Sequence, residues 1–390
     1  MIIPKLALRN ILGAGLRTWL NVIVLSFAYV AIIFNQGYYY GLSNQVSHAK
    51  MEAELGGGQF WHHKYDPYDP FTLQEAHGEI PEPMRNWIFQ DKAVSLLIMK
   101  GAFYPKGRIR TVIIKGIPPA QKILSIPTRF LEETEGPLQA LIGTRMAQSA
   151  GLKIGDIITV QWQDANGTFD AQDVEIVQIM NTTVPTIDHG QIWVPLEKFR
   201  QLLLMKNEVT MVVIDKNFKP IESVPGWTFR NLAYLLKDIH NVRKTAIVAS
   251  WFLYSLLLML AMLAIFDTQI LSVFKRQKEI GTLISLGMTR SKVIQLFTFE
   301  GILHGVLAAF IGALYGIPLL NHYANKGFAV PESVDNTGYA IGERLYPSYS
   351  ASLVAGTVIL VLIVTSIVSY LPTHKITKLK PTDALRGKLN

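Results

Sequence analysis

The sequence predicts an α-helical membrane protein with four transmembrane helices plus a large α+β extracytoplasmic (periplasmic) domain between helices one and two. Three observations predict it. Of the 390 residues 49% are hydrophobic, and the excess falls in four runs, 19–40, 246–273, 295–320 and 350–371. Each approaches or exceeds the roughly 20 apolar residues that cross a bilayer as a helix. Between the first two runs, residues 43–240 carry 20 Lys and Arg against 22 Asp and Glu, the balance of an ordinary folded domain. Finally, the net charge of +8 is confined to short flanks.

Those flanks orient the chain. Lys5, Arg9 and Arg17 precede the first run, and Lys275, Arg276, Lys278, Arg290 and Lys292 lie between the second and third. Lys375, Lys378, Lys380, Arg386 and Lys388 follow the fourth. Basic flanks are retained on the cytoplasmic side, so both termini are expected inside a multi-pass inner-membrane protein. Segment 43–240 is then outside, as is 321–349, which has only Lys326 and Arg344. Charge in this pattern points to membrane lipid as a partner and not to nucleic acid. The absence of cysteine excludes disulfides, thiol catalysis and thiolate metal sites.

Taken in order, residues 1–18 place Leu8, Ile11, Leu12 and Gly15 at helical spacing beside the basic residues. A cytosolic interfacial helix fits this pattern, and so does a plain positive flank. Segment 19–42 is the first transmembrane helix, read as an uncleaved signal anchor because its apolar run is long and no small-x-small site follows. Tyr38, Tyr39 and Tyr40 suit an interfacial aromatic belt. The outer domain, 43–240, shows β-like runs at 94–99, 110–115, 156–161 and 191–194, with candidate helices at 137–151 and 196–205. Gly56-Gly57-Gly58 and Asp66-Pro67-Tyr68-Asp69-Pro70 mark loops. Segment 241–273 reads as a helical stalk leading into the second transmembrane helix. Next come a cytosolic segment (274–294), the third helix (295–320), an outer loop (321–349), the fourth helix (350–371) and a cytosolic tail (372–390).

Segment 274–294 is the most informative. Ile280, Leu283, Ile284 and Gly287 fall at i, i+3, i+4 and i+7, one apolar helical face. Lys275, Arg276, Lys278 and Glu279 precede that face, and Gly287 ends it. A short amphipathic helix of this kind can dock into a groove of another protein; a topogenic basic turn explains the spacing equally well. In the third helix, Gly301, Gly305, Ala309, Gly312 and Gly316 form small-xxx-small patterns that permit close helix packing in lipid, either within one chain or against a second copy. Glu300 and Asp267 lie near the cytosolic mouths of their helices and suit structural or coupling roles better than proton relay.

The string Lys275-Arg276-Gln-Lys-Glu279-Ile280-Gly281-Thr-Leu283-Ile284-Ser-Leu286-Gly287-Met, with Phe299-Glu300-Gly301 and the spaced glycines, resembles the FtsX/MacB-type ABC transporter permease family. The tail around Pro381, Ala384, Leu385 and Arg386 resembles that family's ending. Ile114 to Pro118, Ile142 to Asp156 and Trp193 to Leu202 look like the periplasmic core domain of its lipoprotein-releasing and MacB-like members. The resemblance implies a permease that dimerises with itself or a paralogue and works with two copies of an ABC ATPase. Closure of that ATPase drives periplasmic work by mechanotransmission. It also implies that Lys275, Arg276, Glu279, Ile280, Gly281, Leu283, Ile284, Leu286 and Gly287 form the coupling region.

No Gly-x-x-x-x-Gly-Lys-[Ser/Thr] occurs, so ATPase activity and Mg-ATP are expected on a partner subunit. No cofactor, metal or catalytic residue is expected on this chain. That shifts weight to the lipoprotein-releasing (LolC/LolE-like) branch, with a lipoprotein or its carrier as periplasmic client. An FtsX-like regulator of a cell-wall hydrolase and a MacB-like efflux permease are the alternatives. A membrane-bound hydrolase would need a clustered nucleophile or metal triad. His62 and His63 near Asp66 and Asp69 lack ligand spacing, His189 reads as a turn residue, and His304 as an interhelical hydrogen-bonding residue.

Overall fold

A computed structural model describes residues 15–131, 136–182, 184–220, 223–329 and 344–374. They separate into two compact units. One comprises the described residues up to Leu42, Val242–Phe328 and those from Leu345 on; the other comprises Ser43–Asn241 with the flanking described residues of 329–344. The expected interfacial helix lies outside the described residues over 1–14, as do 330–343 of the outer loop and 375–390 of the tail.

The first unit is a bundle of four helices, each long and apolar enough to cross a membrane. They run Leu16–Lys50, Lys237–Lys275, Arg290–Lys326 and Ala351–His374. Their interior is a narrow apolar seam: Val22, Leu25, Tyr29 and Ile32 meet Tyr254, Leu258, Ala261 and Ile265, with Ala308, Val361 and Val368 closing it. The outward side chains are apolar too, Phe252 and Phe310 among the most exposed. A helix apolar all round is stable against lipid. Two polar pairs cross the seam, the kind of internal satisfaction that lipid favours: Asn21 Nδ2 donates to the Ala264 carbonyl at 3.0 Å and Tyr254 Oη to Asn35 Oδ1 at 2.8 Å.

In the second unit the strands are β1 (Gly58–His62), β2 (Gly78–Glu79), β3 (Ala93–Phe103), β4 (Arg110–Ile117), β5 (Leu138–Gly143) and β6 (Ile157–Gln163). They continue as β7 (Phe169–Met180), β8 (Gln191–Pro195), β9 (Glu208–Val209), β10 (Met211–Ile214) and β11 (Trp227–Asn231). The main sheet has the order β11-β1-β10-β3-β4-β8-β5-β7-β6, and β6 pairs back onto β3. Six strands therefore form a ring, with β4–β8 and β5–β7 parallel and the other pairs antiparallel. The eleven residues of β3 make this possible: its first half pairs with β10, its second with β4 and β6. Leu97, Met99, Ile114, Ile142, Trp162 and Phe199 fill the ring's core.

The four expected β-like runs correspond to β3, β4, β6 and β8, the third starting one residue before β6, and the candidate helix at 196–205 is Leu196–Leu202. The expected helix at 137–151 is corrected: residues Leu138–Gly143 are strand β5, and only Thr144–Ala150 is helical. Leu138, Ala140, Leu141 and Ile142 are buried on both faces of the sheet, and a strand covered on both sides loses the alternation that would mark it. Gly143 closes β5 where a Cβ would lie 2.4 Å from Asp188 Cα, and the Asp188 carboxylate accepts from the Arg145 backbone N–H at 3.0 Å.

His62 sits at the end of β1, its ring tilted against that of His63 with centroids 4.3 Å apart, and near Trp227. Burial, then the positive neighbours His63, His77 and Lys64, push its pKa down from 6.5 to about 4. The unfolded chain therefore binds a proton that the folded chain rejects between those values, and stability rises with pH across that window. We expect the thermal midpoint to fall as pH drops from 6.5 to 4, with no further loss from this group below that. His62→Gln should flatten the slope. An unchanged slope in circular-dichroism melts at pH 7, 5.5 and 4 would exclude His62 as its source.

Candidate functional site: the linker between the second and third membrane helices

Between the second and third long helices lies a nine-residue helix, Gln277–Ser285. Arg276 is its N-cap residue, with φ −101° and ψ 18°, where the chain leaves one helix to begin the next. The helix ends in a Schellman turn. The Gly287 N–H donates to the Ile284 carbonyl and the Met288 N–H to the Leu283 carbonyl, both at 3.0 Å. Gly287 adopts φ +94°, a left-handed conformation that glycine takes without a Cβ clash. Thr289 then opens the third membrane helix in extended conformation.

Arg276 organises the linker. Its Nε donates to Glu279 Oε2 at 2.7 Å, and its Nη1 to both Glu300 oxygens at 2.9 and 3.2 Å. Its guanidinium lies over the Phe297 ring, 4.9 Å from the centroid. Glu300 is almost fully buried, and a buried carboxylate needs such a partner. Below this pair, Ile280 packs against Val293 and Phe297, with Ile284 and Met288 at the edge.

The expected coupling residues thus divide. Ile280 and Gly281 are buried, Leu283 and Ile284 half-buried, and Arg276 is engaged inward. Lys275, Glu279, Leu286 and Gly287 are exposed, Leu286 at 80%. The apolar stripe seen in the sequence is covered mainly by the chain's own third helix. What faces outward is a mixed rim of Lys275, Lys278, Glu279, Thr282 and Leu286. Thr282 had no role in the sequence reading and Lys278 only that of a basic flank; their position on the opposite side of the helix from Ile280 and Ile284 was the available signal.

The small residues of the third helix sit as follows. A Cβ on Gly301 would lie 1.8 Å from Ser369 Oγ, and one on Gly305 3.0 Å from Leu362 and Thr365, all on the fourth helix. Gly312 faces Ser26 at 3.4 Å and Gly316 faces Val30 at 2.7 Å, on the first helix. Ala309 packs against the bundle core. His304 corrects its expectation: Nδ1 bonds its own helix at the Glu300 carbonyl, 2.8 Å away, and Nε2 has no partner. An i, i+4 carbonyl is simply the nearest acceptor to a helical imidazole. Among the described residues, no group of three His, Asp or Glu has metal-binding geometry, His62 and His63 included.

Residues 251–381 match the family model described as FtsX-like permease C-terminal. The chain is 21% identical over 313 residues to the lipoprotein-releasing system transmembrane protein LolC of Neisseria meningitidis serogroup B, covering 72% of this chain and 74% of that one. It is 22% identical over 168 residues to the macrolide export ATP-binding/permease protein MacB of Wolinella succinogenes, 42% of this chain but 23% of that one. An uncharacterized ABC transporter permease of Methanocaldococcus jannaschii is 22% identical over 249 residues, covering 61% and 58%. With four membrane-length helices, this linker and these relatives, the chain is similar to ABC transporter permeases. Within that class, the similarity is to the FtsX/MacB/LolC type.

Proposed function

We propose that this chain is the permease subunit of an inner-membrane ABC transporter in which a separate ATPase, present in two copies, hydrolyses Mg-ATP. The permease pairs with a second copy or a paralogue. Both termini and the linker 274–294 face the cytoplasm, and residues 43–240 form the periplasmic domain. ATP-driven closure pushes on the linker, and the membrane helices relay the stroke outward. The client is a lipoprotein or another hydrophobic molecule to be released or exported; similarity to LolC over most of both chains supports lipoprotein release.

The linker carries this reading. Arg276 fastens it to Glu300 and Ile280 seats it on Val293 and Phe297, so a load on its exposed rim is delivered to the third helix. That helix is seated on the fourth through Gly301 and on the first through Gly316. The first and second long helices are themselves unbroken over Leu16–Lys50 and Lys237–Lys275, which suits the second to the role of stalk. The basic flanks of the sequence support the orientation.

Leu286→Asp tests it, because an 80%-exposed side chain contributes little to the fold. The variant should insert and melt like the parent, while recovery of the ATPase subunit by affinity purification falls about tenfold, the scale of one interface hot spot. Full recovery with normal export would overturn the docking assignment. Retention of lipoproteins in the inner membrane on depletion separates release from regulation of a cell-wall enzyme.

A further inference from the structure

The sheet unit holds a cavity of about 650 Å³, within the size range of small-molecule sites. Its wall is apolar and aromatic, with Leu73, Ile98, Met211, Trp61, Tyr65 and Tyr234. Its lining also includes Glu54, Lys115 and Gln191. Lys115 Nζ donates to Glu54 Oε1 at 2.9 Å, and the Lys115 side chain is 6% exposed. Burial pushes the Glu54 carboxyl up, but the charge and hydrogen bond of Lys115, the Lys50 charge and the Gln191 hydrogen bond together more than offset it and hold the group below its usual range. As an ion pair the two groups carry no net charge.

Gln191 is 7% exposed, and its Nε2 donates to the same Glu54 oxygen at 3.4 Å. That carboxylate fixes which end of the amide faces it. The other end, Oε1, is buried with no hydrogen-bond partner, a condition native interiors avoid. The bond to Glu54 is long and the terminal amide torsion is soft, so the oxygen can swing toward a donor in the cavity. Glu54 itself is presented by a π-helix, Met51–Leu55, an element that recurs at functional sites.

These features select among head groups. An anion would meet Glu54 and a cation would meet Lys115, each at close range in a poorly solvated site. A neutral group that both accepts and donates satisfies Lys115 and Gln191 together. We propose that this cavity binds a neutral amphiphile, its apolar body against Leu73, Ile98 and Met211 and an amide head group seated between Lys115 and Gln191. The assignment does not depend on the linker being an ATPase socket.

The test uses the full-length chain in lipid nanodiscs and a decanamide carrying an alkyl diazirine. After photolysis, adducts mapped by mass spectrometry should fall on the cavity wall. Unlabelled decanamide should suppress them at concentrations about tenfold lower than N,N-dimethyldecanamide, decanoate or decylamine, because each of these leaves a buried polar group unmatched. Gln191→Leu, a near-isosteric change, should weaken labelling about tenfold, and Leu73→Trp should abolish it by filling the space. Adducts confined to the membrane helices, or equal suppression by all four competitors, would overturn the proposal. The competitor series needs no variant, so it remains decisive if Gln191→Leu fails to fold. Competition by an N-acylated peptide and by a free fatty amide distinguishes a client's acyl group from a small lipid as the source of the amide.

Discussion

Glu300→Ala is expected to destabilise the solubilised chain by about 3 kcal/mol, the low end for removing one partner of a buried ion pair. Arg276 would lose both contacts made by its Nη1 and would keep only Glu279, whose carboxylate is mostly exposed. The guanidinium would remain over Phe297 without a counter-charge in the protein interior. A lowered thermal midpoint should be accompanied by loss of ATPase stimulation, since the linker would come loose from the third helix. The paired change Arg276→Leu with Glu300→Leu should recover most of the stability, because well-packed apolar residues replace buried pairs at little cost. Recovery of stability without recovery of coupling would separate the bond's mechanical role from its structural one. A midpoint unchanged by Glu300→Ala would exclude the pair as a structural tie.

The second large effect is expected at Gly301. Gly301→Leu adds four carbons where even a Cβ would lie 1.8 Å from Ser369 Oγ and 2.2 Å from Ser369 Cβ. Ser369 is fully buried, so the fourth helix must move. Overpacking a tight contact costs about 1–3 kcal/mol, occasionally more, and this contact lies at the upper end. Gly301→Ala should be milder, and Ser369→Gly should rescue it, because that change removes both clashing atoms. Ser369→Ala should not, because the Cβ remains. Equal midpoints for Gly301→Ala alone and with Ser369→Gly would show that the two helices do not approach as described. Gly312→Ala, facing Ser26 at ordinary contact distance, should be nearly silent in the same assay.

Features with a local period were legible in the sequence. Four apolar runs became four long helices, and β-branched runs bounded by turn residues became strands. The small residues of the third helix announced close packing. The spacing of Ile280, Leu283 and Ile284 announced a short amphipathic helix but not what covers it. Its partners Val293 and Phe297 lie beyond a turn whose geometry depends on one left-handed glycine. The Arg276–Glu300 pair was invisible for a related reason. Each residue reads as a plausible headgroup contact, and only the return of the chain through Gly287 brings them together. Strand β5 was misread because burial on both faces removes its alternation. The cavity joins Glu54, Lys115 and Gln191 from three distant points in the chain, which no spacing rule relates.

Gly301, Gly305, Gly312 and Gly316 lie within about 60° of one another around the third helix at 100° per residue. Yet the first two meet the fourth helix and the last two meet the first. One stripe is thus shared end to end by two neighbours, like a single rail carrying two sliders. Among the described residues this stripe is occupied within the chain. Mutations along the rail should also sort by position: those at its beginning free the fourth helix, and those at its end free the first. A genetic screen along this one stripe would then yield two distinct phenotypes.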